Sequence, residues 1–129
     1  MAKNILVIGE HADSEITATT AEVIGQSTRL AEGGLVSVAL LGSSAADATP
    51  QAFEAGAGKV FVNDDDGYTE YNSDQWVAAI ESTLESIDVI LVAQSTVGRD
   101  LAPRLAARQG TAAAMDCVCL LYTSDAADE

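Results

Sequence analysis

Positive charge is scarce in this sequence. Six Lys and Arg stand against twenty Asp and Glu over 129 residues, a formal net charge of −14. Nucleic acids and anionic membrane surfaces are bound by basic faces, so neither is an expected partner. Long apolar runs are missing too. No stretch approaches the roughly 18 residues of a membrane span. The start passes from Lys3 at once into Ile5-Leu6-Val7-Ile8, too short for the apolar core of a secretory signal, and a cytoplasmic location is the expectation. Cys117 and Cys119, the only cysteines, fall two apart on one expected strand. They would point the same way, badly placed to bridge each other, and read most plainly as small buried hydrophobes in a reducing compartment.

Histidine occurs once, at His11. With so few soft ligands a zinc site is poorly supplied. A Ser-His-Asp arrangement would need its acid and nucleophile from distant corners, so His11 reads as a polar corner residue. Phosphate-binding glycine patterns are also lacking. Gly9-Glu10-His11 puts a carboxylate where a phosphate would sit, no G-x-G-x-x-G or G-x-x-x-x-G-K-[ST] occurs, and Gly98 is isolated at its corner. No catalytic, cofactor-binding or metal-ligating residue is put forward.

What is present is a regular alternation. A hydrophobic content of 48% is enough for one domain of this length to bury a core. Asn4 to Gly9 reads as a strand buried on both faces, with Glu10 to Asp13 as its corner. Asp13 or Ser14 then caps a helix to about Ala31, with Ile16, Thr20, Val23, Ser27 and Leu30 on one face and Gly33-Gly34 closing it. Leu35 to Leu41 is the second strand. In the next helix Thr49 as cap with Pro50 as first residue satisfies the backbone better than a start at Ser44, although Ser44-x-x-Asp47 is a rival capping signal.

Lys59 to Asn63 is a short third strand. Asp64-Asp65-Asp66 lacks the alternating ligands and terminal glutamate of a calcium loop and reads as a solvated turn. Asn72 or Ser73 caps a helix with Trp76, Ile80, Leu84 and Ile87 inward. Val89 to Ala93 is an uninterrupted apolar strand, followed by the corner Gln94 to Arg99 and a helix from about Asp100 with Pro103 in its first turn. The small-residue run Thr111 to Ala114 precedes a fifth strand, Met115 to Leu121. Strict β-α alternation implies parallel strands with right-handed crossovers. The expected fold is a doubly wound, Rossmann-like α/β domain, an open parallel sheet of about five strands with helices on both faces.

Ligands and partners meet such sheets outside the carboxyl ends of the strands. Arg99, Arg104 and Arg108 gather near the fourth corner of an otherwise acidic chain. Arg99, Asp100 and Arg104 are the candidates for a partner interface. The plainer alternative is local: Asp100 on the helix dipole, paired with Arg104 four residues on.

The stretch Ile5 to His11 with its Asn4 start, Ala55-Gly56-Ala57-Gly58-Lys59-Val60, and Ser95-Thr96-Val97-Gly98-Arg99-Asp100-Leu101-Ala102-Pro103-Arg104 resemble, in order and spacing, the N-terminal domain of the electron transfer flavoprotein alpha subunit. The likeness spans roughly residues 4–119. It implies a heterodimer that takes electrons from acyl-CoA or other dehydrogenases and passes them on through bound FAD. It implies too that FAD lies mainly in a second, C-terminal domain, while the N-terminal domain packs on the beta subunit. This chain is then expected to be a scaffold of residues 1–121 that binds no FAD by itself. The last nine residues, Leu121 to Glu129, do not follow the family pattern and resemble translated adapter sequence. The expectation for residues 122–129 is a disordered, non-native tail, against a genuine acidic tail. The competing function is a stand-alone nucleotide-binding module of the universal-stress type. It would need a glycine-rich run after the fourth strand that Val97-Gly98-Arg99-Asp100 does not supply. A small acyl or phosphoryl transferase lacks a placed nucleophile and base.

Overall fold

The computed structural model describes residues 2–84, 86–93, 95–109, 113–115 and 118–122. Its first strand, β1 (Ile5–Ile8), is buried throughout. Period-two geometry sends alternate side chains to opposite faces, and both faces are covered. Leu6 and Ile8 enter one core cluster, Ile5 and Val7 the other. The unbroken apolar run follows from that two-sided cover. The strands β4 (Val36–Leu41) and β6 (Val89–Ala93) are buried in the same way. Each fully buried Leu or Ile contributes about 1.5–3 kcal/mol relative to exposure.

Four parallel strands form the centre: β1 pairs with β4 on one side and β6 on the other, and β5 (Lys59–Asn63) pairs with β4. Helices α1 (Ala18–Leu30) and α2 (Ala45–Ala55) cover one face. Helices α3 (Ser73–Glu81) and α4 (Thr96–Gln109) cover the other through Trp76, Val77, Ile80, Leu101, Ala102 and Leu105. The doubly wound α/β architecture is as expected, with one correction. The fifth strand is not parallel. The chain turns through β7 (Ala113–Met115) into β8 (Val118–Tyr122), which runs antiparallel to both β6 and β7. The full order is β5-β4-β1-β6-β8-β7. Helix α4 (Thr96–Gln109) is the crossover, and it carries the chain past the neighbouring position to β7, which runs parallel to β6; β8 then turns back into the gap between them and is antiparallel to both. Asp116 and Cys117 lie outside the described residues, as do residues 123–129 of the tail, while Tyr122 still pairs with Val89.

Several element boundaries also differ. Asp13 and Ser14 do not cap a helix; with φ of 54° and 65° they form the turn of a small hairpin, β2 (His11–Ala12) with β3 (Glu15–Ile16). Aspartate tolerates the left-handed region that such turns demand, and Ser14 is held there by the hairpin pairing. The cap of α1 is Thr17, whose side chain accepts from the Thr20 amide. Ile24 joins the buried face, and Leu30 is left 49% exposed. Helix α2 starts after Ser44, not after Thr49, and carries Pro50 in its interior. The proline is exposed, and its missing N–H leaves the Ala46 carbonyl without its helical donor. Helix α3 stops at Glu81 rather than running to Ile87. The Ser82 and Thr83 hydroxyls donate to the carbonyls of Ala79 and Ile80, a competition that favours helix ends. Leu84 and Ile87 still pack against the α3 and α4 core from the following loop.

Candidate functional site

The chain leaves β1 towards β4 on one side and returns to β6 on the other. The carboxyl ends of β1 and β6 therefore flank the switch point of the sheet, the place where open α/β domains hold ligands. Glu10 follows β1 and Ser95 follows β6. The Ser95 hydroxyl donates to Glu10 Oε2 at 2.7 Å and accepts from the Gly98 amide at 3.0 Å. The Ser95 carbonyl accepts from the Arg99 amide. Helix α4 thus begins at Thr96, four residues earlier than expected, and Pro103 lies in its interior. Gly98 makes this early start possible. A Cβ there would run into the Ala93 carbonyl and Val92, so only glycine lets the helix turn directly off β6.

Glu10 is fixed from its own side as well. Its amide donates to Thr20 Oγ1 at 2.9 Å, and its carbonyl accepts from the Thr17 amide. Beside it opens a cleft of about 440 Å³, lined by the β1 corner with its hairpin, the β4 corner, and Tyr71, Trp76 and Val97. His11 closes one wall. Its Nε2 lies 2.8 Å from the Ser43 carbonyl, which can only accept, so this nitrogen carries the proton. The Ser43 amide donates to Thr69 Oγ1, and Gly42 turns at φ 112° with Tyr68 and Thr69 packed against it.

On the opposite wall, Tyr71 meets the Trp76 ring edge to face, with centroids 5.3 Å apart. Trp76 is buried and its Nε1 has no hydrogen-bond partner among the described residues. The Tyr71 hydroxyl donates to Asp100 Oδ2 at 2.6 Å, and Arg104 Nε donates to the same oxygen at 3.1 Å. Burial, and then the adjacent carboxylate, push the Tyr71 phenol well above its ordinary range. The Tyr71 hydrogen bond, followed by that of Arg104, holds the Asp100 carboxyl below its own.

The structure brings two of the three interface candidates into one local group. Asp100 and Arg104 pair at i, i+4 with side chains about half exposed, and Arg99 lies one residue before Asp100 on the same helix. Arg108 is not part of that corner; it pairs with Glu81 of α3 at 2.9 Å. What the sequence reading missed is the polar anchoring: Ser95 as cap, and Thr69 and Tyr71 as struts. Ser95 three residues before Gly98 has the spacing of an N-cap. Tyr71 carried no local signal, because its partner lies 29 residues away. Among the described residues no group of three or more His, Cys, Asp or Glu is arranged to hold a metal. No helix among them is long and apolar enough to cross a membrane.

Residues 5–127 match the family model of the electron transfer flavoprotein domain. The chain belongs to that family. Among similar proteins, the electron transfer flavoprotein subunit alpha of Megasphaera elsdenii is 32% identical over 127 residues, covering 95% of this chain and 38% of that protein. Subunit alpha from Bacillus subtilis strain 168 is 28% identical, covering 95% of this chain and 38% of its own length. Subunit LctC of the lactate dehydrogenase (NAD(+),ferredoxin) from Acetobacterium woodii is 32% identical, with 92% of this chain and 29% of that protein covered. The chain therefore spans between 29% and 38% of the length of these curated relatives.

Proposed function

We propose that this chain is the N-terminal part of an electron transfer flavoprotein alpha subunit and acts as a packing scaffold for a beta subunit. The heterodimer would carry electrons from acyl-CoA or other dehydrogenases through FAD, as a carrier and not a catalyst. The reading rests on one observation above all: relatives named as alpha subunits align with 92–95% of the chain, whereas the chain covers only 36–38% of four of them.

The geometry of the switch point supports a scaffold role over flavin binding by these residues. A flavin pyrophosphate needs free backbone donors at a helix N-terminus and room for close approach. Here the Gly98 amide is taken by Ser95 Oγ, the Arg99 amide by the Ser95 carbonyl, and the Glu10 carboxylate occupies the crevice. A carboxylate in that position repels a dianion, in a chain of net charge −14. The residues do not fit the group, and no step of electron transfer is assigned to them.

Arg99, Asp100 and Arg104 are the proposed contact to the beta subunit. The test is binding of the chain to an electron transfer flavoprotein beta subunit, compared with the Arg99→Glu, Arg104→Glu variant. The expected result is at least about tenfold weaker binding with unchanged circular dichroism. Unaltered binding, or loss of the fold, would assign these side chains to the local Tyr71-Asp100-Arg104 cluster alone.

A further inference from the structure

Strand β5 pairs with β4 on one side and, among the described residues, with nothing on the other. Its outer backbone groups form an open sheet edge, a template for another strand. Next to this edge runs a groove of about 530 Å³ between β5 and α3, floored by Leu41, Phe61, Tyr68, Ala79 and Ile80. No Lys or Arg lines it, whereas Asp64 does, and Asp65 and Asp66 follow directly in sequence. At the start of β5, outside the groove, Lys59 Nζ sits 4.7 Å from the centroid of the Phe61 ring.

We propose that the β5 edge and this groove take an extended segment of a partner protein, apolar at alternate positions and basic between them. Strand addition would satisfy the open edge, alternate apolar side chains would fill the groove, and the basic side chains nearest the Asn63 end of the strand would reach Asp64 to Asp66, which follow it. A second copy of this chain is a poorer occupant. It would bring another net charge of −14 and its own three aspartates to the same edge. The inference rests on the edge and the groove, independently of the family assignment.

The probe is a short acetylated, amidated peptide alternating lysine and valine, titrated into the chain and followed by amide NMR shifts. Shifts confined to residues 59–64 and 79–83, with 9–14 unmoved, are expected. The same peptide N-methylated at alternate amides keeps its charge but loses one row of donors, and should bind at least about tenfold more weakly. The Asp64→Asn, Asp65→Asn, Asp66→Asn variant should weaken the parent peptide to a similar degree. Equal binding by the methylated peptide would reduce the effect to charge attraction and overturn the proposal. So would shifts spread over the acidic surface. Concentration-dependent self-association that moves residues 59–64 without peptide would give the edge to a second copy and overturn it equally.

Discussion

Ser95 donates its hydroxyl proton to Glu10 from 85 residues away, joining the corner after β6 to the corner after β1. The same oxygen accepts from the Gly98 amide and starts α4. One small side chain thus caps a helix and holds a carboxylate in the crevice where a ligand would otherwise enter.

Removing that hydroxyl should be felt in stability. Ser95→Ala loses the cap and leaves Glu10 short of a partner, at a cost of about 1–2 kcal/mol. Ser95→Thr keeps the oxygen and should stay within about 0.5 kcal/mol of the parent. Urea unfolding followed by circular dichroism measures both. An Ala variant as stable as the parent would show that the bond contributes nothing.

The Tyr71-Asp100 pair predicts a pH response at both ends of the scale. The folded state holds the Tyr71 proton more tightly than the unfolded chain does. Its contribution is therefore complete below the ordinary phenol range near 10 and is lost as pH rises beyond it. Asp100 is shifted downward, so its contribution is complete above the ordinary carboxylate range and is lost as pH falls through the lowered value. The difference in phenolate absorbance between the parent and Tyr71→Phe isolates this one tyrosine. Its midpoint should lie above 10, and Asp100→Asn should move it down. A midpoint at the ordinary value would contradict the hydrogen bond.

Pro50 sits on an exposed face inside α2. Pro50→Ala restores one helical hydrogen bond but frees the unfolded chain, and the first effect is the larger. The variant should gain about 1–2 kcal/mol, read as a rise in Tm by calorimetry. A loss of stability would mean that the proline ring makes a contact worth more than the bond it removes.

The central strands were legible because two-sided burial writes itself as an unbroken apolar run, and Ile5 to Ile8 and Val89 to Ala93 are such runs. Helix starts were harder. Asp13 and Ser14 are both good caps, Asp also tolerates the left-handed turn region, and only the pairing of His11 with Ile16 decides between the two readings. Local preference puts Pro50 and Pro103 in first turns, and packing on the sheet outweighs it: Ala45, Ala48 and Ala52 line up on the core only if α2 starts after Ser44. Strand β8 misled for a different reason. An apolar run marks a strand but does not show its direction. At the site, Asp100 and Arg104 were visible as an i, i+4 pair. Tyr71 and the Glu10-Ser95 bond depend on the strand order, which brings distant corners together.

Titration of the pure chain with FAD, followed by flavin fluorescence, tests the central claim most directly. If the switch point is filled by Glu10 and the Ser95 cap, and the domain serves as scaffold, the purified chain is colourless. FAD should then bind no more tightly than roughly 0.1 mM, about −5.5 kcal/mol. Stoichiometric binding in the micromolar range would contradict both the reading of the crevice and the scaffold role.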